Sequence, residues 1–226
     1  IKDIARVISS MCDLILARVF THQTVIELAA HSRVPVINGL SDWAHPCQAL
    51  ADVMTVREHF GKTEGLTVTY VGDANNVARS LMNACCWAGM NFTIASPSGY
   101  AMDQAVLEFA RSESAKRGST VKVTEDPAEA VSETDVIYTD VWTSMGQEAE
   151  REKRQQDFAN YQVNADLVAR AKSTAVVMHC LPAIRNEEIT DDVIDGKQSV
   201  IFQQAENRMH SQRALLEVLL NSQTRT

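Results

Sequence analysis

Leu66-Thr67-Val68-Thr69-Tyr70-Val71-Gly72-Asp73-Ala74-Asn75-Asn76 runs into Val77-Ala78-Arg79-Ser80-Leu81-Met82, and Phe92-Thr93-Ile94-Ala95 follows soon after. The first stretch reads as a strand ending at Val71, a short turn, and a helix over 76–88; Phe92–Ala95 reads as the next strand. The strand runs are nearly continuous in apolar residues instead of alternating, as parallel strands covered on both faces are. A strand–helix–strand unit of this kind implies a right-handed crossover in an open parallel sheet.

The same alternation extends in both directions. Candidate strands are Asp13–Arg18, Val34–Asn38, Leu66–Val71, Phe92–Ala95, Thr120–Val123, Val136–Thr139, Ala175–His179 and Ser199–Phe202. Thr21 can cap a helix carrying Val25, Leu28 and Ala29 on one face. Pro46 suits the first turn of a helix that ends at Phe60, with Gly61 as its stop. Further helices are expected over 103–116, 164–171 and 205–220. The fold class is α/β, with a doubly wound parallel sheet and a smaller, partial α/β unit before it. The charged stretch Glu148–Asp157 reads as a solvated loop or helix face.

Composition excludes several classes. Among 226 residues, 45% are hydrophobic and 22% charged, an ordinary globular balance. A net charge of −8 gives no field for nucleic acid or an anionic membrane. No apolar run approaches the ~20 residues of a membrane span. Five cysteines without framework spacing predict a reducing, cytoplasmic setting and no structural disulfide. His179-Cys180 is not a ligand-spaced pair, so no metal site is expected.

Ligands of open parallel sheets bind beyond the carboxyl ends of the strands. Arg18, His45, Gln48, Asn75, Asn76, Asp140, Ser144, Cys180 and Arg208 all fall just past predicted strand ends. Any one of them alone reads more readily as a cap or turn residue. Six strand ends carrying such groups on one side point to a site. Gly72–Asn76 has one glycine where a dinucleotide loop needs three, and no acidic residue follows Ala95, which argues against a nicotinamide enzyme. His179 and Cys180 are adjacent on a strand and face opposite ways, so they cannot pair as base and nucleophile.

His45-Pro46-Cys47-Gln48 resembles the HPxQ motif of the aspartate/ornithine carbamoyltransferase family. Asp140-Val141-Trp142-Thr143-Ser144-Met145-Gly146, His179-Cys180-Leu181-Pro182 and Glu206-Asn207-Arg208 resemble motifs of its ornithine-using branch, in the same order. The resemblance spans the chain. It implies transfer of the carbamoyl group of carbamoyl phosphate to the δ-amino group of L-ornithine, giving citrulline and phosphate, without a cofactor. It assigns Arg18, His45, Gln48 and Arg208 to carbamoyl phosphate, and Asn76, Asp140, Ser144, Met145, Cys180 and Leu181 to ornithine. Catalytic roles fall on Arg18, His45, Asp140, Cys180 and Arg208. His45 opens a helix, whose positive end disfavours the imidazolium and favours anions. The alternatives are a different amine acceptor or a non-catalytic remnant of the fold.

The resemblance also carries departures. The family's Ser-Thr-Arg-Thr-Arg phosphate loop occurs nowhere in the sequence, and Ala183-Ile184-Arg185 stands where many relatives have Ala-His-Arg. Ile1–Val7 already reads as helix, which suggests a piece of a longer chain. The expected division is 1–45, the remnant of a carbamoyl-phosphate domain; 46–204, the ornithine domain; and 205–226, a helix packing back towards the first. The chain alone is therefore expected to be poorly active. The family relation further implies a homotrimer of arginine metabolism.

Overall fold

Strand and helix alternate along the computed structural model, which describes residues 1–144 and 146–223. The elements are α1 (Lys2–Ile8), β1 (Ile15–Arg18), α2 (His22–His31), β2 (Val36–Leu40), α3 (Pro46–Phe60), β3 (Thr67–Val71), α4 (Asn76–Ala88), β4 (Asn91–Ala95), α5 (Gln104–Ala115), β5 (Val121–Thr124), α6 (Pro127–Val131), β6 (Val136–Thr139), α7 (Arg151–Asp157), α8 (Ala165–Val168), β7 (Val176–His179), α9 (Asp191–Ile194) and α10 (Ile201–Gln223). Pro46 stands in the first turn of α3, and Gly61 ends it with φ 71°, a left-handed cap conformation that suits glycine.

Two sheets result, both parallel. One holds β1 and β2; the other has the order β5-β4-β3-β6-β7. Because side chains alternate across a strand, Tyr138 and Val136 face one way and Ile137 the other. On the first face Val68, Tyr70, Phe92 and Ile94 pack with α3, α4 and α5 through Val56, Leu81, Met82 and Leu107. On the second, Val71, Ile137 and Val177 pack with Val131 of α6, Leu167 of α8 and Ile194 of α9. The strand order reverses between β3 and β6, which opens a crevice at their carboxyl ends. Helix α10 lies along α3. Among the described residues no helix is long and apolar enough to cross a membrane.

Two expectations need correction. Ser199–Phe202 is not a strand: Ser199 makes a single bridge to Val177, and the chain turns helical at Ile201, which is buried while Phe202 is exposed. The second sheet therefore has five strands, not six, and Glu206–Arg208 comes from within a helix instead of a strand end. The stretch 148–157 is not merely solvated. Its Arg154 is 5% exposed and pairs with Asp73 and Glu150.

Candidate active site

A cleft of about 1260 Å³ opens at the β3/β6 reversal and reaches the end of β1. Its walls carry Arg18, His45, Asn76, Asp140, Ser144, Cys180, Leu181 and Arg208, which brings eight of the expected groups together from six different stretches of chain. Gln48 is the exception among the described residues. It lies behind the wall, fully buried, and donates its side-chain N–H to Asp52 at 2.9 Å. Met145 lies outside the described residues.

Asp140 is the best-held group. Buried just past β6, it accepts three hydrogen bonds: from Asn75 Nδ2 at 2.8 Å, from the Val141 amide at 2.8 Å, and from the Cys180 thiol at 3.0 Å. Asn75 also caps α4, accepting from the amides of Val77 and Ala78. One side chain thus starts the helix and aims the carboxylate. Burial, followed by the nearby Asp140 charge, pushes the Cys180 thiol well above its usual range, so it is a proton-bearing wall group and not a thiolate. Asn76 Nδ2 donates to the Ser41 carbonyl at 2.7 Å, tying α4 to the loop after β2.

His45 precedes α3, and its amide donates to Ser80 Oγ at 2.7 Å. Its imidazole is held down to about 4, first by burial and then by the guanidinium charges of Arg208 and Arg18. It is neutral at physiological pH. Burial and the two guanidinium charges act in the same direction as the helix end invoked from sequence. Arg18 closes β1 at an irregularity in its pairing with β2 and is exposed to the cleft.

Leu181 has φ 56°, in a region that costs a non-glycine residue energy and is kept only where its surroundings demand it. The demand comes from His179 and Glu188, both fully buried. His179 Nδ1 accepts from the Leu181 amide at 2.8 Å, so its Nε2 carries the proton and donates to Glu188 Oε1 at 3.0 Å. Glu188 also accepts from the Ile184 amide at 2.7 Å. His179 and Cys180 face different partners, in keeping with strand alternation. Donor atoms of Asp140, His179 and Cys180 do lie within 4.8 Å of one another. Each is already hydrogen-bonded within the chain, and both ring nitrogens of His179 are in use, so the set does not fit a cation.

Sequence reading missed Asn75 as a partner of Asp140, since 65 positions separate them. It also missed Arg154, whose Nη1 donates to Asp73 Oδ2 at 2.7 Å and to the Trp142 carbonyl at 2.9 Å. Those bonds brace the loop that carries Ser144. The doubled asparagine at the strand end was the available signal for the first; the second sat inside a charged run.

Comparison with known proteins shows the family. Residues 64–219 match the family described as aspartate/ornithine carbamoyltransferase, Asp/Orn binding domain, and residues 1–58 its carbamoyl-P binding domain. The ornithine carbamoyltransferase of Thermococcus kodakarensis is 53% identical over 220 residues, 97% of this chain and 70% of that protein. That of Bacillus subtilis is 52% identical, covering 97% and 69%. A solved ornithine carbamoyltransferase from Pyrococcus furiosus superposes with a TM-score of 0.94 at 52% identity, covering 97% of this chain and 70% of that one. The chain spans about 70% of the length of these relatives. On this evidence the chain belongs to the aspartate/ornithine carbamoyltransferase family.

Proposed function

We propose that the chain transfers the carbamoyl group of carbamoyl phosphate to the δ-amino group of L-ornithine, giving L-citrulline and phosphate. The observation that carries this reading is a cleft with two chemically distinct ends. Arg18 and Arg208 make one end cationic and neutral His45 adds an N–H donor, a set suited to a phosphate and a developing oxyanion; planar guanidinium forks bond two phosphate oxygens at once. Asn76, Asp140 and Ser144 form the other end, suited to an amino acid, with Asp140 for its α-ammonium and Asn76 for its carboxylate. Met145 belongs to the same ornithine set, and Cys180 and Leu181 line the path to the attacking nitrogen.

The deprotonated δ-amine attacks the carbonyl carbon, the bond from that carbon to the phosphate oxygen breaks, and the amine proton passes to phosphate or solvent. Neutral His45 donates an N–H to the carbonyl oxygen as charge gathers there, beside Arg18. Such fixed donors are usually the largest single term in acyl-type transfer, and alignment of the two substrates adds to it. The scheme uses no cofactor. The finer expectations stand with it: the division 1–45, 46–204 and 205–226, a homotrimer, and a cytoplasmic role in arginine metabolism. Exposed Ile4, Val7, Leu16 and Phe20 give the first unit apolar surface for such contacts.

The test is citrulline formation from carbamoyl phosphate and L-ornithine, with putrescine and N-acetylornithine as competing acceptors. It is run on this chain and on the chain joined at Ile1 to a segment bearing the Ser-Thr-Arg-Thr-Arg loop. Citrulline from the joined protein, with little from the chain alone, is expected. Carbamoylation of putrescine or N-acetylornithine instead overturns the acceptor assignment.

A further inference from the structure

Arg79 stands on α4 one turn beyond Asn76, and both line the cleft. Residues three apart share a helix face, and helical side chains lean towards the N-terminus, so Arg79 reaches back over the turn that carries Asn76. Its guanidinium lies 4.0 Å over the Trp43 ring, and its Nη1 donates to the Trp43 carbonyl at 2.6 Å. Trp43 belongs to the loop between β2 and α3, which Asn76 also ties down through the Ser41 carbonyl. Arg79 is therefore held by a ring and by one carbonyl. Its remaining N–H groups, Nε among them, have no acceptor among the described residues.

Burial draws this guanidinium below the ordinary arginine range, and the charges of Asp103, Asp42 and Asp73 oppose that. Each of these acids is engaged elsewhere, and among the described residues none forms an ion pair with Arg79. Asp103 caps α5, Asp42 accepts from the His22 amide at 2.8 Å, and Asp73 pairs with Arg154 at 2.7 Å. The other cations of the cleft are differently committed. Arg18 and Arg208 are assigned to the phosphate end, Arg154 is bound to Asp73 and Glu150, and Lys153 is exposed. A half-buried planar cation with N–H groups to spare matches a carboxylate, which can accept two parallel hydrogen bonds from it.

We infer that Arg79 is a specificity-determining residue, whose guanidinium bonds the α-carboxylate of the amino-acid acceptor alongside Asn76. This rests on the carbamoyl-transfer reading above. The surrounding walls explain why a positive charge is needed there. Asp42, Asp73 and Asp140 line the same cleft and favour an amine, whether or not a carboxylate accompanies it. Unopposed, they would take a bare diamine as readily as an amino acid. Arg79 offsets them locally and is itself left without a partner when the acceptor has no carboxylate, so the analogue is rejected.

The experiment measures kcat/KM for L-ornithine and for L-ornithinamide, in which a neutral amide replaces the carboxylate, with the protein joined to the phosphate-loop segment. Arg79→Gln is expected to lower kcat/KM for L-ornithine about tenfold, mainly through KM, and to change that for L-ornithinamide by less than about twofold. Arg79→Lys keeps the charge without the fork and should lose about threefold with L-ornithine alone. Lys153→Gln, an exposed charge on the same cleft, should leave the ratio of the two acceptors within about twofold. If Arg79 only braces the Trp43 loop, both acceptors lose equally, and that result overturns the inference. A Lys153→Gln effect on the ratio as large as that of Arg79→Gln overturns it too. Should Arg79→Gln not fold, Arg79→Lys decides, and an unchanged ratio overturns the proposal. When the unsubstituted protein carbamoylates neither acceptor, the functional reading fails and the inference with it; activity with a ratio that Arg79 does not move sinks the inference alone.

Discussion

The two parallel sheets are covered very differently. The five-stranded sheet buries an apolar cluster on each face, with Tyr70, Phe92 and Ile94 on one side and Ile137, Val177 and Phe158 on the other. The β1–β2 sheet packs over Ala5, Ala17, Val25 and Leu28, and leaves Ile4, Leu16, Phe20 and Ile26 exposed. The cleft draws on both. The proposed acceptor end, around Asp140, stands on the well-covered sheet and is fixed by three hydrogen bonds within the chain. The proposed donor end takes Arg18 from the sparsely covered sheet, at an irregular point in the strand pairing. The contrast separates a preorganised half of the site from a half whose geometry depends on thinner packing.

The largest effects expected are on stability. Leu81→Ala in α4 removes a side chain that is 2% exposed in the larger cluster, and should cost about 2–5 kcal/mol in global unfolding. Leu28→Ala in α2, 8% exposed in the small cluster, should instead open the first unit locally. Amide hydrogen exchange distinguishes them: Leu81→Ala accelerates exchange throughout, and Leu28→Ala only before about residue 45. Uniform acceleration by both would erase the contrast. Next is the chemistry. His45→Leu removes a donor to the developing oxyanion and should lower kcat by about 100-fold, with a smaller change in the KM for ornithine.

These expectations rest on features that sequence exposes unevenly. Strands β3, β4, β6 and β7 were legible because burial on both faces leaves an unbroken apolar run, and α3 because Pro46 and Gly61 mark its ends. Ser199–Phe202 misled for the same reason. A short apolar run does not show whether strand or helix follows, and only packing of Ile201 against the second face decides it. In the site, single charged or amide groups at strand ends were visible by their chemistry. Their holders were not: Asn75 to Asp140, Gln204 to Asp52 and Glu188 to His179 are polar pairs whose meaning appears only when the chain closes. Arg154 was hidden by its charged neighbours, although it is the one that turns inward.

Arg154 provides the third way to sharpen the contrast. It links Asp73, after β3, to the Trp142 carbonyl, in the loop leading to Ser144, and it is nearly enclosed. Arg154→Gln leaves Asp73 without its cation and frees that loop. The acceptor end should then lose its preorganisation while the donor end is untouched. An increase of about tenfold in the KM for ornithine is expected, with carbamoyl phosphate binding unchanged. Equal weakening of both substrates would show that the two ends are not independent.

The smallest effect concerns α3, the helix that follows β2 and leads to the larger sheet, where two buried titratable groups oppose one another. Burial raises Asp52 to about 7 from 3.8 and lowers His45 to about 4 from 6.5. For Asp52 the folded state binds the proton more tightly, so its contribution is fully present below pH 3.8 and is lost as pH rises through about 7. For His45 the unfolded state binds more tightly, so its contribution is present above pH 6.5 and is lost as pH falls through about 4. Between pH 4 and 6.5 the two slopes have opposite signs, and the Tm should change little on their account. Asp52→Asn removes one slope and leaves the other, so its Tm should fall on acidification from pH 6.5 to 4 by more than that of the unsubstituted protein. His45→Gln should do the reverse, becoming relatively more stable as the pH falls. Parallel Tm profiles for all three proteins would show that neither group is held out of its ordinary range by the fold.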